Sequence, residues 1–109
     1  MPRGRTVKAK TEINVESEVK KDFVFENVPD ENIFSVIDGS TIGSLSELAE
    51  ALELMSDDVF HYHTERVGND FATWIAGTMG EEELANSIIS KSKEETHIQI
   101  LKYIIKKLS

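Results

Sequence analysis

The chain has 109 residues, which is enough for one domain with a single modest hydrophobic core. Hydrophobic residues make up 39% of it, as in globular proteins, and no apolar run approaches the roughly 20 residues of a membrane-spanning helix. The net charge is −8, and the absence of Cys excludes disulfides, thiolate nucleophiles and thiolate metal sites.

Residues 1–21 have few large apolar side chains and carry six basic and three acidic residues, which gives a local charge of +3. We predict a flexible basic arm over 1–21, either a tether for a polyanion or a solvated terminus, and a single compact domain over 22–109. The candidate contact residues in the arm are Arg3, Arg5, Lys8 and Lys10. This stretch lacks the apolar segment of a signal peptide, so a cytoplasmic location is expected.

Two apolar segments precede the helices. Residues 22–28 include an aromatic residue at every second position, Phe23 and Phe25, which predicts a short β-type segment with both on one face. Residues 33–43 have apolar segments on both sides of Asp38-Gly39, a strong hairpin-turn dipeptide. We predict a small β-hairpin there, which either covers one end of a helical core or offers its turn as a ligand loop.

The predicted fold is mainly α, with four to five short helices in an orthogonal bundle and the small β-hairpin on its N-terminal side. Four of the five predicted helix starts have a Ser or Asn that can accept a hydrogen bond from the first turn, and two of them have the capping-box spacing to a Glu. The predicted helices are 44–55, a short helix after Ser56, a helix from Asn69 that ends at Gly80, 81–90 and 93–108; the capping boxes are Ser44 with Glu47 and Ser92 with Glu95. In the fourth helix, the residues expected to pack inwards are Leu84, Ala85, Ile88 and Ile89.

The last predicted helix has a broader apolar face than one contact within a domain requires. One seam along it contains Ile98, Leu101, Ile105 and Leu108, with Ile100 and Ile104 beside it. Either this face closes the core, or part of it forms a dimer contact. The seam is too short for a stand-alone coiled coil.

The most specific stretch is 60–75, which holds the only Trp and two of the three His. The turn before Asn69 and Asp70 can fold the ring of His63 back towards this helix start. His63 and Asp70 would form a metal or acid–base pair, or a buried structural pair whose ring is held in one tautomer and tends to stay protonated. We favour the structural interpretation, because buried polar groups in small domains are usually satisfied structural groups. The candidate binding residues are His63, Asn69, Asp70 and Trp74.

Taken together, these motifs are similar to those of an uncharacterised small domain that is common in archaea and some bacteria. The shared residues here are Phe34, Asp38-Gly39, Leu45-Ser46-Glu47-Leu48, Phe60 with His63, Asn69-Asp70-Phe71 with Trp74-Ile75, and Gly80 with Leu84-Ala85, within about residues 33–90. The resemblance implies a fold and a site geometry but no reaction. Where that family often has His-His-Val-Asn, this chain has Tyr62-His63-Thr64-Glu65, so the resemblance does not imply a two-His metal site.

The sequence has no phosphate-binding Gly loop, metalloprotease His pair or nucleophile elbow. We therefore predict a non-catalytic protein–protein interaction or assembly module, without a cofactor, that forms a homodimer or joins a larger complex. The first alternative is a small metal-binding or hydrolytic protein that uses His63 and Asp70. The second is a nucleic-acid accessory protein that binds through the arm; against it, Arg66 is the only Lys or Arg between residues 22 and 83.

Overall fold

The computed structural model describes residues 22–109, and the predicted basic arm with Arg3, Arg5, Lys8 and Lys10 lies outside them. Within the described residues, a small hairpin precedes five helices. The helices are α1 (Leu45–Leu54), α2 (Asp57–Glu65), α3 (Asp70–Met79), α4 (Glu82–Ile88) and α5 (Lys93–Leu108). The predicted mainly α fold with a hairpin on its N-terminal side is confirmed.

The hairpin pairs two antiparallel strands, β1 (Phe34–Ser35) and β2 (Thr41–Ile42), with Phe34 opposite Ile42 and Ser35 opposite Thr41. Gly39 lies in the turn with a φ of 97°, a left-handed value that favours glycine. The Asp38 carboxylate accepts hydrogen bonds from the hydroxyl (2.6 Å) and the backbone N–H (2.9 Å) of Ser40, and these bonds lower the pKa of Asp38. The hairpin predicted over 33–43 is confirmed, although its paired strands are short.

The prediction of a β-type segment over 22–28 is wrong. The segment turns instead, and the Asp22 carboxylate accepts a hydrogen bond from the Val24 N–H at 3.0 Å. Its buried side chains are Val24 and Val28, whereas Phe25 is exposed. The carbonyls of Phe23 and Val24 accept hydrogen bonds from the first two N–H groups of α1, those of Leu45 and Ser46. These two N–H groups have no partner within the helix itself.

Four of the five helix starts have a local side-chain cap, as predicted, and α4, which begins after Glu81, has none. Hydrogen bonds from first-turn amides are accepted by the side chains of Ser44, Ser56, Asn69 and Ser92, and these precede α1, α2, α3 and α5. The capping box of Ser92 with Glu95 is complete. At α1, the Glu47 carboxylate accepts instead from the N–H of Gly43, one residue before the cap, at 2.7 Å.

The core lies between the helices, where α5 packs against α1 and α4, and α3 packs against α4. The Lys93 ammonium at the start of α5 donates a hydrogen bond to the carbonyl of Met55, just after α1, at 2.8 Å. At the opposite end, the Val24 carbonyl accepts a hydrogen bond from the Ser46 N–H at the start of α1. Val24 also lines a cleft together with Lys107 and Leu108, from the end of α5. Helices α1 and α5 therefore run in opposite directions.

The apolar seam predicted for α5 is not the face that enters the core. The residues of α5 buried against α1 and α4 are Thr96, Ile100 and Ile104. The seam residues Ile98, Leu101, Ile105 and Leu108, which we call the outer face of α5, are exposed. The helix thus closes the core with one face and presents a second apolar face on the surface.

Candidate functional site

The side chains of His63 and Asp70 meet where two helices join. His63 lies in the last turn of α2, and Asp70 is the first residue of α3. The His63 Nδ1 and the Asp70 Oδ2 are 3.0 Å apart, within hydrogen-bonding distance. The ring is buried and the Asp70 side chain is 40% exposed, so the pair spans the boundary between the core and the surface.

The second nitrogen of His63 is bonded to the hairpin. The backbone N–H of Ile37 donates a hydrogen bond to His63 Nε2 at 3.1 Å. An amide can donate only to a nitrogen with a free lone pair, so Nε2 carries no proton and Nδ1 carries the proton that is donated to Asp70. The expectation that the ring is held in one tautomer fits this geometry. The expectation that it tends to stay protonated does not, because both bonds suit the neutral ring.

Aromatic rings enclose His63. Its ring centroid lies 5.0 Å from Tyr62, 5.1 Å from Phe34 and 5.4 Å from Phe71. Phe34, from the hairpin, also stacks on Phe71, from α3, with ring centroids 5.1 Å apart. The imidazole is therefore one member of an aromatic cluster that joins β1, α2 and α3.

Asn69 and Trp74 each join α3 to a different segment. The Asn69 side chain accepts a hydrogen bond from the Ala72 N–H at 3.0 Å, and its amide donates to the Ile88 carbonyl at 3.4 Å. Trp74 is buried, and its Nε1–H donates to the Asn32 carbonyl at 2.7 Å. Asn69 thus holds the end of α4 near the start of α3, and Trp74 holds the 3-10 turn Asp30–Asn32 that precedes β1.

The structure therefore pairs two of the four predicted site residues directly, His63 with Asp70. Asn69 and Trp74 are directed to other partners. Ile37 and Asn32 were not predicted, because they contribute only backbone groups, which leave no signal in the side-chain pattern. The binding role predicted for these four residues stays a prediction.

Metal-binding groups are few around this pair. Among residues 22–109, no group of three or more His, Cys, Asp or Glu side chains is arranged to hold a metal ion. The other His of α2, His61, lies 3.7 Å from Glu65, one helical turn away, and both side chains are more than half exposed. His61 thus points away from the His63 ring, as expected for neighbours on a helix.

A cleft of about 290 Å³ lies beside the start of α3, and Ser90 is one of its lining residues. Ile88 to Lys91 form a type II turn: Ile89 has φ −68° and ψ 135°, Ser90 has φ 64°, and the Lys91 N–H donates to the Ile88 carbonyl at 3.3 Å. The third position of such a turn favours Gly, so Ser90 is strained there. Ile89 is 47% exposed, and the prediction that it packs inwards is wrong.

Comparisons with known proteins assign no relative to the chain. No protein-family model matches it, and neither the curated proteins nor the solved structures contain a significant match. The resemblance of residues 33–90 to an uncharacterised prokaryotic domain therefore stays a prediction. In the described part of the chain, no helix is both long and apolar enough to span a lipid bilayer.

Proposed function

We propose that this protein is a non-catalytic protein–protein interaction module whose contact surface is the outer face of α5. The observation that carries the proposal is the exposure of Ile98 (49%), Leu101 (39%), Ile105 (63%) and Leu108 (66%). Single exposed aliphatic side chains are common on protein surfaces, but a contiguous row on one helix is typical of a binding surface.

The spacing of the outer face indicates the kind of partner. Its residues are separated by three, four and three positions, which places them in one line along the helix. Such a line fits between the side chains of a second helix that presents an apolar stripe of its own. The partner we propose is therefore a protein helix and not a small polar ligand.

The hydrogen bonds of His63 support a non-catalytic role. A general base needs a ring nitrogen within reach of a substrate proton. Here Asp70 engages Nδ1 and the Ile37 N–H engages Nε2, and the ring is only 5% exposed. The pair is better suited to hold the hairpin against the helices than to transfer a proton.

The metal or hydrolytic alternative has one observation in its favour, since the predicted pair of His63 and Asp70 is within hydrogen-bonding distance. That alternative requires the hairpin to release Nε2 and further ligands to join the pair. Metal analysis of the purified protein tests it. Stoichiometric zinc or manganese that is lost in His63→Ala would establish the alternative, and a metal-free protein would remove it.

The nucleic-acid alternative depends on Arg3, Arg5, Lys8 and Lys10, which lie outside the described residues. Binding through such an arm should weaken steeply with salt, because each contacted phosphate releases counterions. A titration of DNA and RNA at two salt concentrations tests it. Absent or salt-insensitive binding would remove this alternative.

The proposed function is tested by capture followed by reconstitution. The tagged full-length chain is compared with Leu101→Asp/Ile105→Asp on the outer face and with Leu54→Asp on α1, where Leu54 is 83% exposed. Each captured protein is then purified and titrated against the original chain and the two variants. We expect the double variant to weaken binding by at least about tenfold and the Leu54→Asp control to bind like the original chain. Equal binding by the original chain and both variants would overturn the proposal.

A further inference from the structure

We infer that the outer face of α5 binds the outer face of α5 in a second copy of this chain, with the two helices antiparallel. This inference rests on the proposed function and names its partner. It concerns Ile98, Leu101, Ile105 and Leu108, which are exposed, while the neighbouring Ile100 and Ile104 are buried. The outer face therefore projects from the core on a helix whose other side is fixed.

The spacing of the outer face is the same in both chain directions. Three, four and three positions separate its residues, so the row is symmetric about its midpoint near residue 103. In an antiparallel pair centred there, Ile98 lies opposite the second copy's Leu108, and Leu101 lies opposite its Ile105. A two-fold interface requires a self-complementary patch, and this row meets that requirement with apolar side chains of similar volume.

The charges at the two ends of α5 favour the antiparallel alignment. The first turn contains Glu94 and Glu95, and the last turn contains Lys106 and Lys107. A parallel pair would place like charges side by side at both ends, whereas an antiparallel pair brings the acidic end of each helix towards the basic end of the other. It also opposes the two helix dipoles. Lys102, near the midpoint, comes close to its copy in either alignment, so only the ends discriminate.

The start of α2 lies at the acidic end of α5 and reinforces this polarity. Asp57 and Asp58, in the first turn of α2, lie near the start of α5, where Lys93 forms an ion pair with Asp57 at 3.3 Å. Apart from Lys93, these charges are exposed. Screening by salt therefore limits them to setting the orientation of the two helices, and the apolar row supplies the affinity.

The expected dimer is weak. Four side chains cover less than the ~800 Å² per partner of a standard stable interface, so we expect a dissociation constant of roughly 1–100 μM. The full-length chain should therefore change from monomer to dimer across that concentration range. Sedimentation equilibrium of the full-length protein measures this directly. A chain that stays monomeric throughout the range overturns the inference.

The orientation is tested with engineered cysteines, because the chain has none of its own. Full-length Leu101→Cys and Ile105→Cys are prepared at two distinguishable masses, mixed and oxidised. The antiparallel pair should form mainly the mixed disulfide, because the two positions face each other across the copies. A parallel pair would form mainly the two same-residue disulfides, and that result overturns the inference. Leu54→Cys, on α1, measures disulfides formed by random collision.

Two further variants separate this inference from the proposed function. Leu101→Asp should remove the dimer, and Leu54→Asp should keep it, with the same helical circular dichroism in both. If the chain is monomeric and its outer face binds a different protein, the inference that a second copy is the partner is overturned. The proposed function as an interaction module is not overturned by that result. A dimer unaffected by Leu101→Asp uses another surface, and this result overturns the inference. The proposed function is overturned separately, by captured proteins that bind the outer-face variant and the original chain equally.

Discussion

The cluster around His63 and the outer face of α5 differ in whether their side chains are packed against other parts of the same chain. Around His63, both ring nitrogens and the neighbouring aromatic rings are engaged by groups from two other segments of the same chain, the hairpin and α3. On the outer face of α5, four large aliphatic side chains are left at the surface. The residue types that usually suggest chemistry stabilise the fold here, and the ordinary aliphatic residues carry the interaction proposal.

The two regions also differ in how they should respond to substitution. Removing one member of a buried hydrogen-bonded pair leaves its partner unsatisfied, and this costs stability in the isolated chain. Removing an exposed aliphatic side chain takes little from the isolated chain, because the side chain was already in water. Removing such a side chain should instead weaken association with the partner. The following predictions use this difference.

The largest effect is expected at Trp74, in the cluster. Trp74→Ala empties a buried aromatic site and removes the hydrogen bond to the Asn32 carbonyl, so the free energy of unfolding should fall by about 3–5 kcal/mol. Because Trp74 is the only Trp, unfolding is followed by far-ultraviolet circular dichroism in urea. Trp74→Phe keeps much of the ring and should lose less. Native-like stability of Trp74→Ala would contradict its place in the core.

Adjacent residues of α5 give the sharpest contrast between core and surface. Ile104 is 7% exposed and Ile105 is 63% exposed. Ile104→Ala should cost about 2–4 kcal/mol of stability because it leaves a cavity, whereas Ile105→Ala should stay within about 0.5 kcal/mol. Both are measured by urea denaturation at concentrations too low for dimer formation, since association would add apparent stability. Equal costs would mean that the two faces of α5 are assigned incorrectly.

The two His of α2 form a second matched pair. His63→Ala removes a buried ring and leaves the Ile37 N–H without its acceptor, so it should cost about 2–3 kcal/mol. His61→Ala, at an exposed side chain, should change stability by less than about 0.5 kcal/mol. The ring of His63 should show its proton on Nδ1 in nitrogen-15 spectra. A proton on Nε2 would be incompatible with the bond from Ile37.

The smallest effect is expected at the turn between α4 and α5. Ser90→Gly relieves the left-handed backbone and should raise the free energy of unfolding by about 0.5–1 kcal/mol. The reverse change is Gly80→Ser at the end of α3, where φ is 70° and an added Cβ would meet nothing within 4 Å. It should lower stability by a similar amount. A loss of stability in Ser90→Gly would indicate that the Ser90 side chain makes a contact worth more than the strain.

Features set by neighbouring residues were predictable from the sequence. Helix starts at Ser44, Asn69 and Ser92 depend on a side chain and amides within the next turn. The contact between His63 and Asp70 spans only seven positions across one turn, so its pattern is also local. Features set by distant backbone groups were not predictable, because the Ile37 amide that holds His63 leaves no side-chain signal.

The sequence left open which face of α5 closes the core, for a different reason. The helix has two apolar rows, and the row with more large aliphatic residues is the exposed one. The buried row contains Thr96, which is 0% exposed and whose hydroxyl has no hydrogen-bond partner among the described residues. Hydrophobic periodicity ranks rows by composition, whereas the packing of α1 and α4 decides which row is covered. Because the buried row contains Thr96, its composition does not identify it as the core-facing row.

The shortness of the hairpin has a consequence for the order of folding. A ladder of two residue pairs is not stable alone. Two of the hydrogen bonds that attach the hairpin and the turn before it to the helices come from His63 and Trp74, which are 26 and 42 positions beyond the backbone groups they bind. The hairpin therefore gains its stability only after α2 and α3 have formed, although it precedes them in the chain. In native-state hydrogen exchange, the Ile37 amide should open at a lower free energy than the amides in the middle of α3.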